Sequence, residues 1–363
     1  MSRPPERRHR GSGGAPPRDR LEGRIRTAWR RGPGPGLRLA ALAYGAGHDV
    51  RDLLHEAGVT AMRRAAVPVI SVGGLTAGGS GKTPVAALLA ADLRRAGWSP
   101  AVVTAGDADE AALVGAMAPG IRVAAGRDRV AAIGRAVAGG ANAVVLDSGF
   151  QHRRLARDLD VVCLDPEAWA GPGPYRLPAG PFRERPGALA RAGAVVLVVR
   201  PGAPETGVEA AAAAAARHAP RRPRAVLRLD PAGLRPANDR AAGRAPGPGV
   251  AAAAGVMWPE AFFRTLRRTG VSPARTLRFR DHESFEGRAL ARVREAAARA
   301  GLVCTRKDAV KLGPLLASDV PVWYLDEVPR WGRGGEAIRR AVRHAVGLAS
   351  LGRVDGTIRG EES

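Results

Sequence analysis

Residues Val67–Thr83 read VPVISVGGLTAGGSGKT, an apolar run that passes into glycines and ends in Gly-Lys-Thr. This order is typical of a strand, a loop and a helix that together bind nucleotide phosphates. In such a loop the backbone N–H groups converge on phosphate oxygens, Lys82 adds a positive charge, and the Thr83 hydroxyl can ligate Mg²⁺. The stretch therefore predicts a P-loop at the start of an α/β sheet.

One position departs from the general P-loop pattern, which has glycine where Thr76 stands. A glycine-rich turn without a ligand is therefore the alternative interpretation. Two observations favour the phosphate loop. The chain uses arginine for almost all its cations, and Lys82 is one of only three lysines, with Lys307 and Lys311. Pro84 stands early in the helix that follows, where its missing N–H costs nothing.

Length, charge and cysteine content limit the classes of protein to consider. The chain has 363 residues and a formal net charge of +23, and its length predicts two domains plus a tail. The charge suits nucleic acid, anionic lipid headgroups or a phosphorylated substrate equally well. Aromatic residues are scarce and no nucleic-acid-binding module is found, so no nucleic-acid partner is expected. Two cysteines, Cys163 and Cys304, provide neither a disulfide framework nor a zinc pattern, which favours a reducing cytoplasm.

The alternation of apolar runs and helical spacing predicts the organisation of the chain. It indicates a mostly parallel sheet with helices on both faces, as in P-loop NTPases, and a smaller C-terminal α/β unit. The N-terminal residues lack the apolar centre of a signal peptide, and residues 37–66 contain no uninterrupted apolar run of about 18 residues, as a membrane span needs. The predicted segments are a disordered basic tail (1–35), an amphipathic helical segment that lies on a membrane or packs in the core (36–66), a P-loop domain (67–200), a connecting region (201–248), a smaller α/β domain (249–345) and a second tail (346–363).

Several polar residues follow predicted strands or begin predicted helices. Asp147 ends the strand AVVLD, where P-loop enzymes hold Mg²⁺ directly or through water, although an Asp that caps a turn is the alternative. Asp109 begins a predicted helix, where acids are common for capping alone. The pair Asp281-His282 is more typical of a solvated pair than of a site, whereas the cluster TRKDAVKL (305–312) is as compatible with a salt-bridged surface as with a site.

A set of longer motifs is more specific than the P-loop. The chain contains, in this order, AGRDRVAA, DSGFQHRRLARDLDVVCLD, RLPAGPFRERP, FRDHESF and CTRKDAVKL. With the P-loop they resemble the tetraacyldisaccharide 4′-kinase family of lipid A biosynthesis, from roughly Leu39 to Val328. The resemblance implies a kinase that uses ATP and Mg²⁺ to phosphorylate the 4′-hydroxyl of a tetraacylated glucosamine disaccharide 1-phosphate. It also implies a peripheral or monotopic protein on the anionic surface of the bacterial inner membrane, at its cytoplasmic face.

The resemblance also implies roles for individual residues. The ATP phosphates would be bound by Thr76, Ala77, Gly78, Gly79, Ser80, Gly81, Lys82 and Thr83, and a threonine at 76 agrees with the family. The metal would be held by Thr83 and Asp147, with Glu184 as an additional ligand. Asp109 would be the base that helps remove the proton from the 4′-hydroxyl, supported by His282. The phosphate and sugar site would be lined by Arg129, Gln151 and His152.

The chain departs from the family at several places. The family has a second Asp where Ser148 stands, Asn where Gly74 stands, a G-I-G-N-P run where residues 255–259 read GVMWP, and Glu where Arg306 stands. A family loop is shortened here to the four residues AGDA before Asp109. These departures motivate a second hypothesis, a weakened or repurposed nucleotide-binding paralogue. The positive charge motivates a third, a nucleic-acid-dependent P-loop ATPase.

Overall fold

The computed structural model describes residues 25, 27–29, 31–106 and 108–358, and only the backbone of residues 108, 109 and 352–358. The helices are α1 (Pro35–Glu56), α2 (Lys82–Arg95), α3 (Ala108–Met117), α4 (Arg129–Ala138), α5 (Pro166–Trp169), α6 (Glu205–His218), α7 (Pro259–Arg268), α8 (Gly287–Ala297), α9 (Arg306–Leu315) and α10 (Gly335–Ile358). The strands are β1 (Val69–Gly74), β2 (Pro100–Thr104), β3 (Arg122–Ala125), β4 (Ala143–Asp147), β5 (Leu159–Leu164), β6 (Ala194–Val199), β7 (Arg224–Pro236), β8 (Ala251–Ala254), β9 (Arg275–Arg278), β10 (Leu302–Thr305) and β11 (Val322–Trp331).

The strands of the described residues form one 11-stranded sheet, in the order β3-β2-β4-β1-β5-β6-β7-β11-β10-β8-β9. Neighbouring strands run parallel except β7 and β11, which are antiparallel. The predicted fold class, a P-loop NTPase-like, mostly parallel α/β sheet, is confirmed. The strand that leads into the phosphate loop, β1, lies between β4 and β5.

The apolar composition of the central strands follows from their position. All residues of β1 and β4 are buried, as expected for parallel strands with helices on both faces. Leu89 and Leu93 of α2 pack against one face of the sheet, in the same cluster as Ile338 and Val346 of α10. The carboxyl ends of the parallel strands lie at one edge of the sheet, where α/β proteins bind their ligands.

The sheet continues through the segment 201–248, which the sequence predicts as a connection. This segment contains α6 and the 13-residue strand β7. In β7 the buried residues Ala225, Leu227 and Leu229 alternate with less buried ones, a period of two that the nearby prolines and glycines obscure. Because β7 pairs with β11, it joins two parts of the sheet, which we name the first half (residues 69–236) and the second half (residues 251–331).

The predicted limits of the two tails are wrong. Trp29 lies within the predicted N-terminal tail, yet it is buried and its indole N–H donates to the Pro178 carbonyl at 2.9 Å. At the other end, α10 continues past residue 346, and Val346 is buried in the core of the first half. In both places apolar side chains cover the folded core, which a composition rich in Arg, Gly and Ala does not reveal. Residues 1–24 and 359–363 lie outside the described residues.

Candidate active site

The phosphate loop connects the end of β1 to the start of α2. Gly78, Gly79 and Gly81 have φ of +65°, +57° and +69°, in the left-handed region that favours glycine. Gly81 is the N-cap of α2, so the first N–H groups of that helix, which have no partner within it, are directed toward the loop. This is the geometry with which a helix N-terminus binds phosphate.

Lys82 is the first residue of α2, and its ammonium lies within the loop. Its Nζ donates to Ser80 Oγ at 2.8 Å. Burial is the main cause that lowers the pKa of Lys82, and the nearby Asp147 carboxylate acts in the opposite direction. A partly desolvated ammonium gains most from a neighbouring anion, which a nucleotide phosphate would supply.

Thr83 and Asp147 form a pair of oxygen donors next to Lys82. Asp147 is the last residue of β4 and lies opposite Val72 of β1. Its Oδ2 accepts a hydrogen bond from Thr83 Oγ1 at 2.8 Å, and its Oδ1 accepts one from Ser148 Oγ at 3.3 Å. Burial raises the pKa of Asp147, while the Thr83 hydroxyl and Lys82 lower it. The structure therefore brings together the two predicted ligands, as the order strand, loop and helix requires.

The loop opens into a cleft of about 520 Å³ between the two halves of the sheet. Its first wall comes from the first half and includes the phosphate loop, Glu110, Arg129, Ser148, Gln151, Arg183 and Arg200. Its second wall comes from the second half and includes Met257, Trp258, Phe262, Asp281, His282, Lys307, Leu325 and Glu327. The cleft is therefore built by residues that lie more than 200 positions apart in the chain.

The side chain of Asp109, predicted as the base, lies outside the described residues. Its neighbour Glu110 faces the cleft and accepts a hydrogen bond from Thr104 Oγ1 at 2.6 Å. The same Thr104 oxygen accepts a bond from the Gly106 N–H at 3.3 Å. These contacts join the end of β2 to the start of α3 across the shortened loop. Glu110 is therefore a cleft residue to which the sequence assigned no role.

Arg129 and Gln151 reach the cleft as predicted, whereas His152 is not among the residues that line it. Arg129 is the first residue of α4 and is only 7% exposed. Gln151 Nε2 donates to the Gly74 carbonyl at 2.9 Å and to Glu184 Oε1 at 2.8 Å. His152 lies in the same turn, and its pKa is lowered by burial first and then by the positive charge of Arg129.

Glu184, predicted as an additional metal ligand, does not lie with Thr83 and Asp147. Its carboxylate accepts from Gln151 and forms an ion pair with Arg191, which follows it by seven residues. The side chain is only 4% exposed, so its two oxygens are occupied within the first half. The structure assigns Glu184 to holding the Gln151 amide in place, and the sequence pattern P-F-R-E could not show which neighbour the carboxylate faces.

His282 stands on the second wall of the cleft, far along the chain from the other predicted residues. It is exposed, and its φ of +64° lies in the left-handed region. Its neighbour Asp281 accepts a hydrogen bond from Lys307 Nζ at 2.6 Å. This ion pair joins two motifs: R-D-H, for which the residues alone favour a solvated pair, and T-R-K-D, for which they leave surface and site equally open. Their common place in the cleft is decided by the second half of the sheet.

Asp165 lies behind the phosphate loop. It follows β5, is 2% exposed, and its Oδ1 accepts the Glu167 N–H at 3.1 Å as the N-cap of α5. Among the described residues, Oδ2 is buried with no hydrogen-bond partner. Burial, partly opposed by Arg200, raises the pKa of Asp165 from 3.8 to about 7. The folded protein therefore holds this proton more tightly than the unfolded chain does.

Asp165→Asn is expected to change how stability depends on pH. Between about pH 4 and pH 7 the folded state binds more protons than the unfolded state, so the free energy of unfolding falls as pH rises through this window. Asparagine is also a good N-cap and stays neutral. From about pH 5.5 to 8, the variant should gain on the order of 2 kcal/mol relative to the parent chain, measured by urea unfolding. Parallel pH profiles for the two proteins would contradict the expectation.

The comparison with protein families gives one extended match. The model of the family described as tetraacyldisaccharide-1-P 4′-kinase matches residues 35–108 and 105–345. The two matched segments meet at residues 105–108, which is the place of the shortened loop. Most of the described chain is therefore covered by a single family.

Curated relatives and a solved structure agree with this match. The chain is 40% identical over 334 residues to a tetraacyldisaccharide 4′-kinase of Anaeromyxobacter dehalogenans, with 80% of this chain and 86% of that protein covered. It is 38% identical over 311 residues to the one of Geobacter metallireducens, with 77% and 89% covered.

A crystal structure of LpxK from Aquifex aeolicus in complex with ATP has the same fold. Its TM-score is 0.61 at 22% sequence identity, and the match covers 84% of this chain and 97% of that one. At this identity the structure supports the fold alone, while the family model and the curated relatives carry the assignment. The chain belongs to the tetraacyldisaccharide 4′-kinase family.

Proposed function

We propose that this protein transfers the γ-phosphate of ATP to the 4′-hydroxyl of a tetraacylated glucosamine disaccharide 1-phosphate, a step of lipid A biosynthesis. The observation that carries the proposal is the arrangement of Lys82 and Thr83, which line a cleft bounded on its other side by the second half, with Asp147 bound to the Thr83 hydroxyl. Family membership supports the choice of acceptor.

The reaction requires a bond to form between the 4′-oxygen and the γ-phosphorus while the bond from that phosphorus to the β,γ-bridging oxygen breaks, with ADP as the leaving group. Positioning and neutralisation of charge supply most of the catalysis in such transfers. The phosphate loop from Thr76 to Thr83 would bind the phosphates through its N–H groups. Lys82 would balance the charge that develops between the β- and γ-phosphates.

The residues present fit Mg²⁺. Thr83 Oγ1 and Asp147 Oδ2 are 2.8 Å apart and are hard oxygen donors, the kind that Mg²⁺ prefers together with waters and substrate phosphates. Among the described residues no group of three His, Cys, Asp or Glu converges, so these two side chains and the nucleotide would hold the ion. When bound, Mg²⁺ would neutralise charge on the phosphates.

The acceptor would lie on the side of the cleft away from the phosphate loop. There Asp109 would take the proton from the 4′-hydroxyl, and His282 would support it from the second wall. Arg129 and Gln151, which line the cleft, would bind the phosphate and sugar groups. The Gln151 amide is held by Gly74 and Glu184, which would keep it oriented for such a contact.

Helix α1 supports a membrane-bound location. Its residues Leu39, Leu42, Val50 and Leu53 recur at helical spacing and are between 57% and 71% exposed. The buried residues of this helix are Ala41 and Gly45, and Asp49 holds the helix to the first half through ion pairs with Arg176 and Arg185.

An apolar stripe that faces outward on an anchored helix is the arrangement of interfacial helices. Within the part of the chain that the structure describes, no helix is long and apolar enough to cross a bilayer. We propose that α1 lies on the anionic cytoplasmic face of the bacterial inner membrane, in reach of a lipid-linked substrate.

Removal of this stripe should reduce membrane binding. We expect Leu42→Asn with Leu53→Asn to lower partitioning into phosphatidylglycerol vesicles by at least about tenfold, because each buried leucine contributes roughly 1.5–3 kcal/mol. Vesicle co-sedimentation measures the effect. Leu348→Asn with Leu351→Asn on α10 is the matched control, since these leucines are 56% and 67% exposed. Equal losses in both double variants would contradict a specific role for α1.

Complementation tests the proposed activity. In a bacterium depleted of its own 4′-kinase, expression of this chain should restore growth, and purified protein with ATP and the disaccharide 1-phosphate in detergent should yield the 4′-phosphorylated product. Failure of a well-expressed chain, with a close relative succeeding, would favour the weakened or repurposed paralogue. Strong stimulation of ATP hydrolysis by DNA or RNA, lost with salt, would favour the nucleic-acid-dependent ATPase.

A further inference from the structure

Trp258 lies on the phosphate loop, although it belongs to the second half of the chain. It follows β8 and is the residue before α7, which starts at Pro259. The run GVMWP places Met257 and Trp258 in the wall of the cleft. Two large side chains therefore reach the loop from the opposite side of the cleft.

The approach of Trp258 to the loop is very close. A Cβ added to Gly79 would lie 2.6 Å from Trp258 Cδ1 and 3.1 Å from its Nε1. A Cβ added to Gly78 would likewise lie 2.7 Å from the Cβ of Met257. The edge of the indole that carries the N–H is therefore directed at the backbone of the loop, and glycine at position 79 makes this contact possible.

The indole N–H of Trp258 differs in its hydrogen bonding from most other buried donors that the structure describes. Its Nε1 is buried and makes no hydrogen bond to any residue that the structure describes. Three other indoles are paired: Trp29 donates to the Pro178 carbonyl at 2.9 Å, Trp323 to the Arg244 carbonyl at 3.0 Å and Trp331 to Asp92 at 3.0 Å. The indole nitrogen of Trp169 is also buried without a partner among the described residues, but it does not line the cleft. An indole nitrogen can only donate, and a buried donor without a partner costs free energy.

The ring of Trp258 is held in this position by its neighbours. Its centroid lies 6.4 Å from that of Trp29, with the planes inclined by 55°. Trp29 is itself buried and anchored by its hydrogen bond to Pro178. The Trp258 ring therefore packs against a side chain that is itself fixed in place.

We propose that Trp258 is a positioning residue for the nucleotide, whose indole N–H donates to a β-phosphate oxygen of ATP bound in the phosphate loop. This inference rests on the nucleotide site proposed above. Hydrogen bonds to anionic oxygens are the strong ones, and a phosphate at Gly79 would supply an acceptor that is missing among the described residues. Through this hydrogen bond, the second half of the sheet would contact a polyphosphate that is bound in the first half.

One other acceptor lies near the same point. Asp165 Oδ2 has no partner among the described residues and would lie 3.3 Å from a Cβ on Gly79. A small displacement of either side chain could pair Trp258 with this carboxyl instead of with nucleotide. In that case nucleotide binding would leave the environment of the indole N–H unchanged or break its bond, which separates the two possibilities.

The test is nucleotide affinity of Trp258→Phe, which keeps an aromatic ring and removes the N–H. Isothermal titration should show that the affinities for ADP and for a non-hydrolysable ATP analogue fall by about tenfold, as for loss of one hydrogen bond to a charged group. Affinity for AMP should not change. An equal loss for AMP, or no loss for any of the three, would overturn the proposal.

Two controls separate this proposal from the proposed function. Trp98→Phe, at the far end of α2 from the loop, should leave all three affinities unchanged. If the parent chain fails to bind ATP, or Lys82→Ala binds it equally well, the nucleotide site itself is wrong. If the parent binds ATP through Lys82 and Trp258→Phe is unaffected, only the role of Trp258 is wrong.

A spectroscopic measurement keeps the proposal testable if the phenylalanine variant folds poorly. In protein labelled with ¹⁵N-tryptophan, the six indole N–H signals can be followed by NMR, with that of Trp258 identified by its absence in Trp258→Tyr. Addition of ADP should move this signal downfield, as a new hydrogen bond to an anion does, while AMP should not. An indole signal that ADP leaves in place would overturn the proposal, because a purely packing role predicts no new acceptor.

Discussion

Lys82→Ala should lower the rate of phosphoryl transfer by about 10³-fold, the scale of losing a group that stabilises transition-state charge in a desolvated site. The ammonium lies within the phosphate loop, bound to Ser80 at 2.8 Å and partly desolvated, so no solvent cation replaces it easily. The fold should persist, because the substitution removes a charge that burial disfavours. Product formed from ATP and the disaccharide 1-phosphate measures the rate, and thermal unfolding checks the fold.

Two further lysine variants test whether the effect is specific to the ammonium group at position 82. Lys311→Ala should retain activity, because that ammonium donates to the Glu283 carbonyl rather than into the phosphate loop. Lys82→Arg should remain strongly impaired, since a planar guanidinium does not take the place of a compact ammonium in a loop closed by Ser80 and Gly81. Wild-type rates in Lys82→Ala would exclude the phosphate loop as the catalytic site.

Asp147→Asn is the second substitution with a large expected effect, a fall in kcat of about 10²-fold or more. The carboxylate accepts the Thr83 hydroxyl at 2.8 Å, and asparagine can accept the same bond, so the local structure should be kept. What is lost is the negative charge next to the predicted Mg²⁺ position. The Mg²⁺ concentration for half-maximal rate should therefore rise, measured in the same product assay.

Ser148→Asp tests the same metal position by adding a carboxylate next to Asp147. Ser148 has φ of +62°, a conformation that Asp tolerates better than most residues, and its Oγ contacts Asp147 Oδ1 at 3.3 Å. An added carboxylate would restore the pair of acids that the family shows here, and the Mg²⁺ requirement should fall or stay unchanged. If Asp147→Asn retained full rate at limiting Mg²⁺, the metal would have to be held by other residues.

The sequence predicted most of the first half correctly, for a local physical reason. Strand, glycine loop and helix follow one another within Val67–Thr83, and the apolar runs of the parallel strands are each continuous in the chain. Asp147 was placed correctly because a residue at the end of a parallel strand lies at the same edge as the loop after β1. The place of a residue at the end of a parallel strand follows from chain direction alone, and the short-range alternation of strands and helices reveals that direction.

The sequence did not predict contacts that depend on pairing between distant segments. Glu184 was predicted as a metal ligand, but its carboxylate holds Gln151 and Arg191 instead. Strand β7 was predicted as a connection, because its prolines and glycines mask the alternation that buries Leu227 and Leu229. In each case the deciding partner lies on another element, and its position follows from packing rather than from spacing.

The stretch Val67–Thr83 by itself determined a phosphate loop at the edge of an α/β sheet, because backbone conformation there depends on glycine and on the strand and helix that flank it. Only the tertiary structure decided what faces that loop. The antiparallel pairing of β7 with β11 brings Trp258, Asp281 and His282 of the second half to the other wall of the cleft. Contact between residues so far apart in the chain is set by the packing of whole elements, which no local pattern encodes.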